Sequence, residues 1–290
     1  MLLAVGDAAT NTQPPPASAT GRARLPFEHL ARRGPYSAVY LGHRWVLTAA
    51  HVGAFPVEIG GVVGSPIDAT RTRLRNEDGS ASDLLAFRID SDPHLPVLPI
   101  ARARPPRGAR VWLVGQGLDR GARAAWSAPG GAAFEGFRWA ATRAMRWGTN
   151  RIEAGPFRVA TGGVHTHVLA MDFTPPGAPG ATRFEAQATT GDSGGALFAR
   201  RGDRFELAGI LVVRTFEKRQ PRATSFYGNR TLAADLSLYR AQLVALVRPA
   251  CSDEIDDDGD GAIDYPADPD CASPEDDRED GLGPGLAPAP

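Results

Sequence analysis

From residue 36 onward the chain is a succession of short apolar runs, each closed by a chain-turning residue. YSAVYLG, RWVLTAA, VEIGGVVG, DLLAFRI, VWLVGQG, HTHVLAMDF, GGALFAR and ELAGILVV are of strand length and rich in β-branched or aromatic residues. Gly, Pro, Asn or Asp bound them, as turn chemistry requires between strands. Many short strands without intervening helices predict an all-β domain, a barrel or a sandwich. One helix closes it: in 235–248 the residues Leu236, Tyr239, Leu243, Leu246 and Val247 recur at helical spacing, with Asp235 or Ser237 as a cap. At 290 residues and 42% hydrophobic, the chain is long enough for one large domain or two lobes. Residues 120–135, RGARAAWSAPGGAAFE, read as a linker, dividing 25–250 into lobes of roughly 25–125 and 126–250.

The two ends differ from this body. The opening residues lack a basic segment and have only a five-residue apolar start, so they make no convincing signal peptide, and residues 1–24 are expected to form a disordered leader. Past Pro249 the composition turns acidic: residues 251–290 hold 14 acids and one arginine. All basic residues but Lys218 are arginines, and they are scattered without interleaved aromatics, which argues against a nucleic-acid surface. No apolar stretch approaches the roughly 18–20 residues needed to span a bilayer.

Within the body, TTGDSGGALF (residues 189–198) sets an acid and a serine among three glycines, ahead of an apolar run. Gly191-Asp192-Ser193-Gly194-Gly195 fits the pattern of a serine nucleophile on a strained turn, and equally that of a polar surface turn. A nucleophilic serine needs a base, usually a histidine oriented by a carboxylate. All six histidines (29, 43, 51, 94, 165 and 167) precede Ser193, which excludes the order serine, acid, histidine. Only Asp7 and Glu28 precede His51, so the order left is histidine, aspartate, serine. His165 and His167 share a strand face at metal-like spacing but have no obvious third ligand, and an ordinary strand explains them.

HRWVLTAAHV, residues 43–52, runs a tryptophan-led strand into two alanines and His51. This segment resembles the histidine motif of trypsin-like serine proteases, and GDSGG resembles that family's serine motif. The resemblance covers about 36–248 and is to bacterial members with a disulfide-free barrel domain. It implies two Greek-key β-barrels of the chymotrypsin fold with a C-terminal helix. The third triad member lies between the two motifs, where Asp68, Asp78, Asp83, Asp90, Asp92, Asp119 and Asp172 compete. Asp83 enters an apolar strand at once, as in the family's Asp-Ile-Ala-Leu-Leu segment, and is the best candidate. The implied roles are Ser193 as nucleophile, His51 as general base and Asp83 as its orienting acid, with the backbone N–H groups of Gly191 and Ser193 as oxyanion hole. No cofactor is expected for catalysis.

The pattern also departs from the family. The Ile-Val-Gly-Gly amino terminus that pairs with the aspartate before the serine is missing, so Asp192 is expected to find an internal arginine or backbone amides instead. By ungapped spacing the base of the specificity pocket is Gln187, and its wall is Val212, Val213 and Arg214. That disfavours cleavage after Arg or Lys. Arg214 either fills the pocket, favours an acidic side chain, or points to solvent.

The tail CSDEIDDDGDGAIDYPADPDC, residues 251–271, places Asp256, Asp258, Asp260 and Asp264 at positions 1, 3, 5 and 9 of an EF-hand-like loop, with Gly261 at the sharp turn. Position 12 is Ala267, with Asp268 as substitute, and the spacing is similar to thrombospondin type 3 repeats. Residues 251–280 are therefore expected to bind calcium, closed by a Cys251–Cys271 disulfide, with 281–290 a flexible end. The expectation as a whole is a secreted, periplasmic or cell-surface serine endopeptidase, monomeric, acting on peptides. The alternatives are a non-catalytic surface protein on the same scaffold and an esterase with the same triad.

Overall fold

A computed structural model describes every residue except 8, 16–23, 32–35, 253–255, 257, 275, 277–278 and 280–290. In the first lobe, a four-stranded antiparallel sheet runs in the order Val39–Gly42, Trp45–Ala49, Ala81–Arg88, Thr72–Arg75. Beside it lies the hairpin Val57–Ile59/Val62–Gly64, whose two-residue turn is Gly60-Gly61 with φ of 59° and 87°. Positive φ at both central residues is what a two-residue hairpin needs, and glycine adopts it without a Cβ clash. The strands are buried on both faces. Val39, Leu41, Leu47, Leu84 and Ala86 join the main core, while Tyr40, Val46 and Phe87 join a second cluster behind it. Two-sided burial explains why these segments read as continuous apolar runs rather than alternating ones.

The second lobe is built on a seven-stranded antiparallel sheet in the order Arg146–Arg151, Arg110–Gly115, Ala196–Arg201, Arg204–Arg214, Arg230–Asp235, Val164–Asp172, Ala154–Thr161. Leu41, Leu47 and Leu84 of the first lobe share one core with Val114, Phe198, Leu207 and Leu232 of the second. The all-β, chymotrypsin-type architecture is thus present, although neither sheet's ladder closes into a ring among the described residues.

Four expectations need correction. Arg110–Gly115 already pairs with Ala196–Arg201, so the second lobe begins well before residue 126. The supposed linker 120–135 is a β-hairpin, Leu118–Ser127 with Ala133–Arg143, turning at Gly130 and Gly131. Trp126 stacks on Phe134 and Phe226 at centroid distances of 5.4 and 5.9 Å, giving a segment that looked like small-residue filler a packing anchor. The helix spans only Arg240–Leu246, because residues 236–239 turn before it and Asp235, at the end of its strand, accepts the Ser237 hydroxyl and amide on Oδ1 instead of capping a longer helix.

The fourth correction is the leader. Leu2–Leu3 forms a strand against Ala186–Gln187, and Met1, Leu2, Leu3 and Ala4 are buried. Each such apolar side chain removed from water is worth roughly 1.5–3 kcal/mol, so the short apolar start is better spent in the core than in solvent. Residues 16–23 of the leader and the end 281–290 lie outside the described residues. Cys251 and Cys271 form a disulfide, with Cα atoms 5.7 Å apart. Among the described residues no helix is long and apolar enough to cross a membrane.

Candidate active site

His51 sits on a single 3₁₀ turn, Ala50–Val52, that follows strand Trp45–Ala49. In the neighbouring strand Ala49 lies opposite Leu84, and this register brings Asp83 beside the turn. His51 Nδ1 is 2.7 Å from Asp83 Oδ2, and the His51 backbone N–H donates to Asp83 Oδ1 at 2.8 Å. Asp83 is fully buried, while the imidazole is 30% exposed and faces a cleft. The rival aspartates are engaged elsewhere: Asp68 with Arg71, Asp78 with Arg158, Asp90 with Ser65, Asp92 with Tyr40, Asp119 with Arg146 and Asp172 with Arg230.

Two partners of Asp83 were not anticipated. Thr161 Oγ1 donates to Asp83 Oδ2 at 2.8 Å, and Thr166 Oγ1 accepts the Asp83 N–H at the same distance. Both come from the hairpin Ala154–Thr161/Val164–Asp172, 78 and 83 residues away in sequence, so only the fold reveals them. Gly162 follows at φ 57°, where a Cβ would stand 2.7 Å from Asp83 Oδ1 and 3.0 Å from His51 Cβ.

Ser193 borders the same cleft, of about 340 Å³, as His51 and Thr161. Its turn is held from both sides. The Ser37 N–H donates to Ser193 O, Ser37 Oγ donates to Gly191 O, and the Gly194 N–H donates to Leu211 O. Gly194 has φ 85°, and a Cβ there would stand 1.9 Å from Ser37 O. Gly195 would meet Val114 O at 2.5 Å. These two glycines are therefore demanded by close backbone approach behind the serine. Among the described residues the backbone N–H groups of Gly191 and Ser193 donate to no protein acceptor. No described hydrogen bond joins Ser193 Oγ to His51 Nε2, a contact that often tightens only with substrate bound.

Asp192 has neither an internal arginine nor amides alone as its partner. Its Oδ2 lies 3.3 Å from the amino group of Met1, and both groups are fully buried. Burial holds the Met1 ammonium below its ordinary range, and the Asp192 carboxylate offsets that only in part. Asp192 Oδ1 also accepts the Gly117 N–H, Oδ2 accepts the Thr189 N–H, and the Met1 ammonium donates to Gly117 O. The expectation that no amino terminus enters is thus overturned.

The specificity residues divide. Gln187 is fully buried and lines neither the cleft nor the depression beside Ser193; its Nε2 donates to Arg230 O, and its strand is covered by Leu2–Leu3. Its place is taken by Ala188 and Thr189, which border that depression with Val212, Val213 and Arg214. Arg214 does not point away: its guanidinium carbon lies 4.6 Å from the Trp139 ring centroid and 4.8 Å from that of Phe216. Burial lowers its pKa from the usual arginine range.

In the tail, carboxylate oxygens of Asp256, Asp258 and Asp260 gather within 4.8 Å of one another, and so do those of Asp260, Asp268 and Asp270. Asp264 is in neither group, and its N–H donates to Glu279 Oε1; Asp270, which was not anticipated, belongs to the second group. Asp268 is 1% exposed, and its Oδ2 has no hydrogen-bond donor. A buried carboxylate oxygen facing two other carboxylates is the donor set of a hard cation.

The two lobes and the cleft between their strands define the scaffold of a chymotrypsin-fold peptidase. By sequence the chain belongs to the trypsin-like peptidase domain family, whose pattern matches residues 36–210. No curated protein matches the chain in sequence. Among solved structures it is similar to neuropsin, a serine protease expressed in the limbic system of mouse brain (17% identity, 78% of this chain and 97% of that one, TM-score 0.48). It is also similar to Rv3671c from M. tuberculosis H37Rv in an inactive form (15%, 81% and 94%, TM-score 0.46). A third is the NS6 protease from murine norovirus 1 (15%, 72% and 90%, TM-score 0.41).

Proposed function

We propose that this protein is a serine endopeptidase that hydrolyses peptide bonds through Ser193, His51 and Asp83. The observation that carries the reading is a histidine fixed by a fully buried aspartate in the same cleft as a serine flanked by two uncommitted N–H groups. Ser193 Oγ attacks the scissile carbonyl as His51 Nε2 takes its proton. Asp83, hydrogen-bonded to Nδ1, keeps the proton of the other nitrogen in place and stabilises the imidazolium. The N–H groups of Gly191 and Ser193 receive the developing oxyanion, each worth on the order of 3–4 kcal/mol of barrier. Collapse expels the amine, which takes the proton from His51, and water then hydrolyses the acyl-enzyme by the same steps.

A cystine and an acidic cation loop suit an oxidising, calcium-rich exterior, so the site of action is outside the cytoplasm. Asp256, Asp258, Asp260, Asp268 and Asp270 would hold calcium, whose role is to neutralise the crowded carboxylates and order the tail. Terbium luminescence and calorimetric calcium titration test this; Asp268→Asn is expected to weaken binding roughly tenfold, since affinity follows ligand charge. Unchanged affinity would remove Asp268 from the set. Matched peptide and ester substrates test the hydrolase reading. Cleavage of the peptides, whatever the rate on the esters, supports a peptidase, and exclusive ester turnover supports the esterase. Turnover of neither substrate by the folded wild type would leave the scaffold reading, and turnover that survives His51→Ala would overturn the triad.

A further inference from the structure

We infer that Arg214 is a carboxylate receptor, and that the substrate residue on the acyl side of the scissile bond (P1) is aspartate or glutamate. The inference rests on the peptidase reading, because it names the side chain that the cleft beside Ser193 accepts. The depression next to the nucleophile, bordered by Ala188, Thr189, Val212 and Val213, holds only about 10 Å³. That is about the space of one water-sized probe, too small for a lysine, arginine or aromatic side chain. Its rim is Arg214, which also borders the open part of the cleft with His51 and Ser193. A side chain leaving the scissile residue therefore meets a guanidinium before it meets a pocket.

The environment of that guanidinium is built for an anion. Trp139 and Phe216 flank it, and the Trp139 Nε1–H donates to Ser225 Oγ, which fixes that ring. Its one described hydrogen bond is from Nη2 to Thr190 Oγ1 at 3.2 Å, and Nε is buried without an acceptor. Among the described residues no carboxylate forms an ion pair with it. Asp192 acts on it only through space and is already neutralised by the Met1 ammonium. The ring faces of Trp139 and Phe216 meet its charge but use none of its N–H donors, so the donors not bonded to Thr190 are left for an anion. Thr190 Oγ1 accepts from Nη2 and steadies the guanidinium from outside the depression and the cleft, so the guanidinium alone is the carboxylate-recognising group.

Two assays test this. In the first, peptides matched as Glu/Gln and Asp/Asn at P1 are compared by kcat/KM on the wild type and on Arg214→Gln. In the second, the N-acylated peptide acids and amides ending in those residues are titrated against Ser193→Ala, which needs no turnover. The acidic member is expected to be favoured roughly tenfold or more in both, as a charge-assisted hydrogen bond provides, and the preference is expected to vanish in Arg214→Gln. Equal handling of the acid and its amide by the wild type, or a preference that survives Arg214→Gln, would overturn the inference. So would an acidic preference that appears only at P2 or P3 when the carboxylate is walked along the peptide. A fluorophosphonate that fails to label Ser193 would sink the peptidase reading, while the binding assay would still decide the carboxylate site.

Discussion

At the scale of the residue, the proposed chemistry turns on Asp83 and its hydroxyl donor Thr161. Asp83→Asn keeps the shape but offers His51 a donor where it needs an acceptor, so kcat is expected to fall on the order of 10⁴-fold in a peptide assay with little change in melting temperature. Thr161→Val removes only the hydrogen bond to Asp83, and a loss of roughly tenfold to a hundredfold is expected. It should fall on kcat with KM nearly unchanged and be rescued by Thr161→Ser, which a merely structural role would not produce. Asp192→Asn leaves the buried Met1 ammonium without its counter-charge, and a loss of about 3–5 kcal/mol in denaturant unfolding is expected. His51 and Ser193 were legible because each lies in a local motif. Asp83 was legible as the aspartate that opens a strand. Thr161 and Trp139 were not, since they reach His51–Asp83 and Arg214 from strands whose sequences say nothing of what they face.

At the scale of the element, strand positions in both lobes could be read from the apolar runs, whose ends coincide with the glycines and charged residues that bound them. The misreadings share a cause. The hairpin at 118–143 is rich in alanine and arginine, residues with weak strand preference, and its order comes from the Trp126, Phe134 and Phe226 stack. The amino-terminal strand is too short to show a period and is defined only by its partner at Ala186–Gln187. Leu2→Ala is therefore expected to cost about 2–5 kcal/mol, measured by thermal or denaturant unfolding, whereas a solvated leader would give no change. The tail element depends on its cystine: closing a loop across a separation of 20 residues is worth on the order of 3 kcal/mol against the open chain. Cys271→Ser should weaken calcium binding in the terbium assay, and an unchanged titration would show that the loop orders itself.

At the scale of the whole molecule, the two lobes share a hydrophobic core, and the histidine–aspartate pair is offered by one lobe to the serine turn of the other. That shared core holds the barrel domain together without disulfides: its leucines, valines and aromatics, 0–8% exposed, run across both sheets. It also explains why the amino terminus matters, because Met1 is buried between Gly117 and Asp192 and so ties the chain's start to the serine turn. The central claim is that this assembly activates Ser193, and the most direct measurement is fluorophosphonate labelling of the intact chain followed by peptide mass mapping. The account predicts a single adduct on Ser193, abolished in His51→Ala and strongly slowed in Asp83→Asn. A folded protein that takes no label, or takes it equally well without His51, would contradict it.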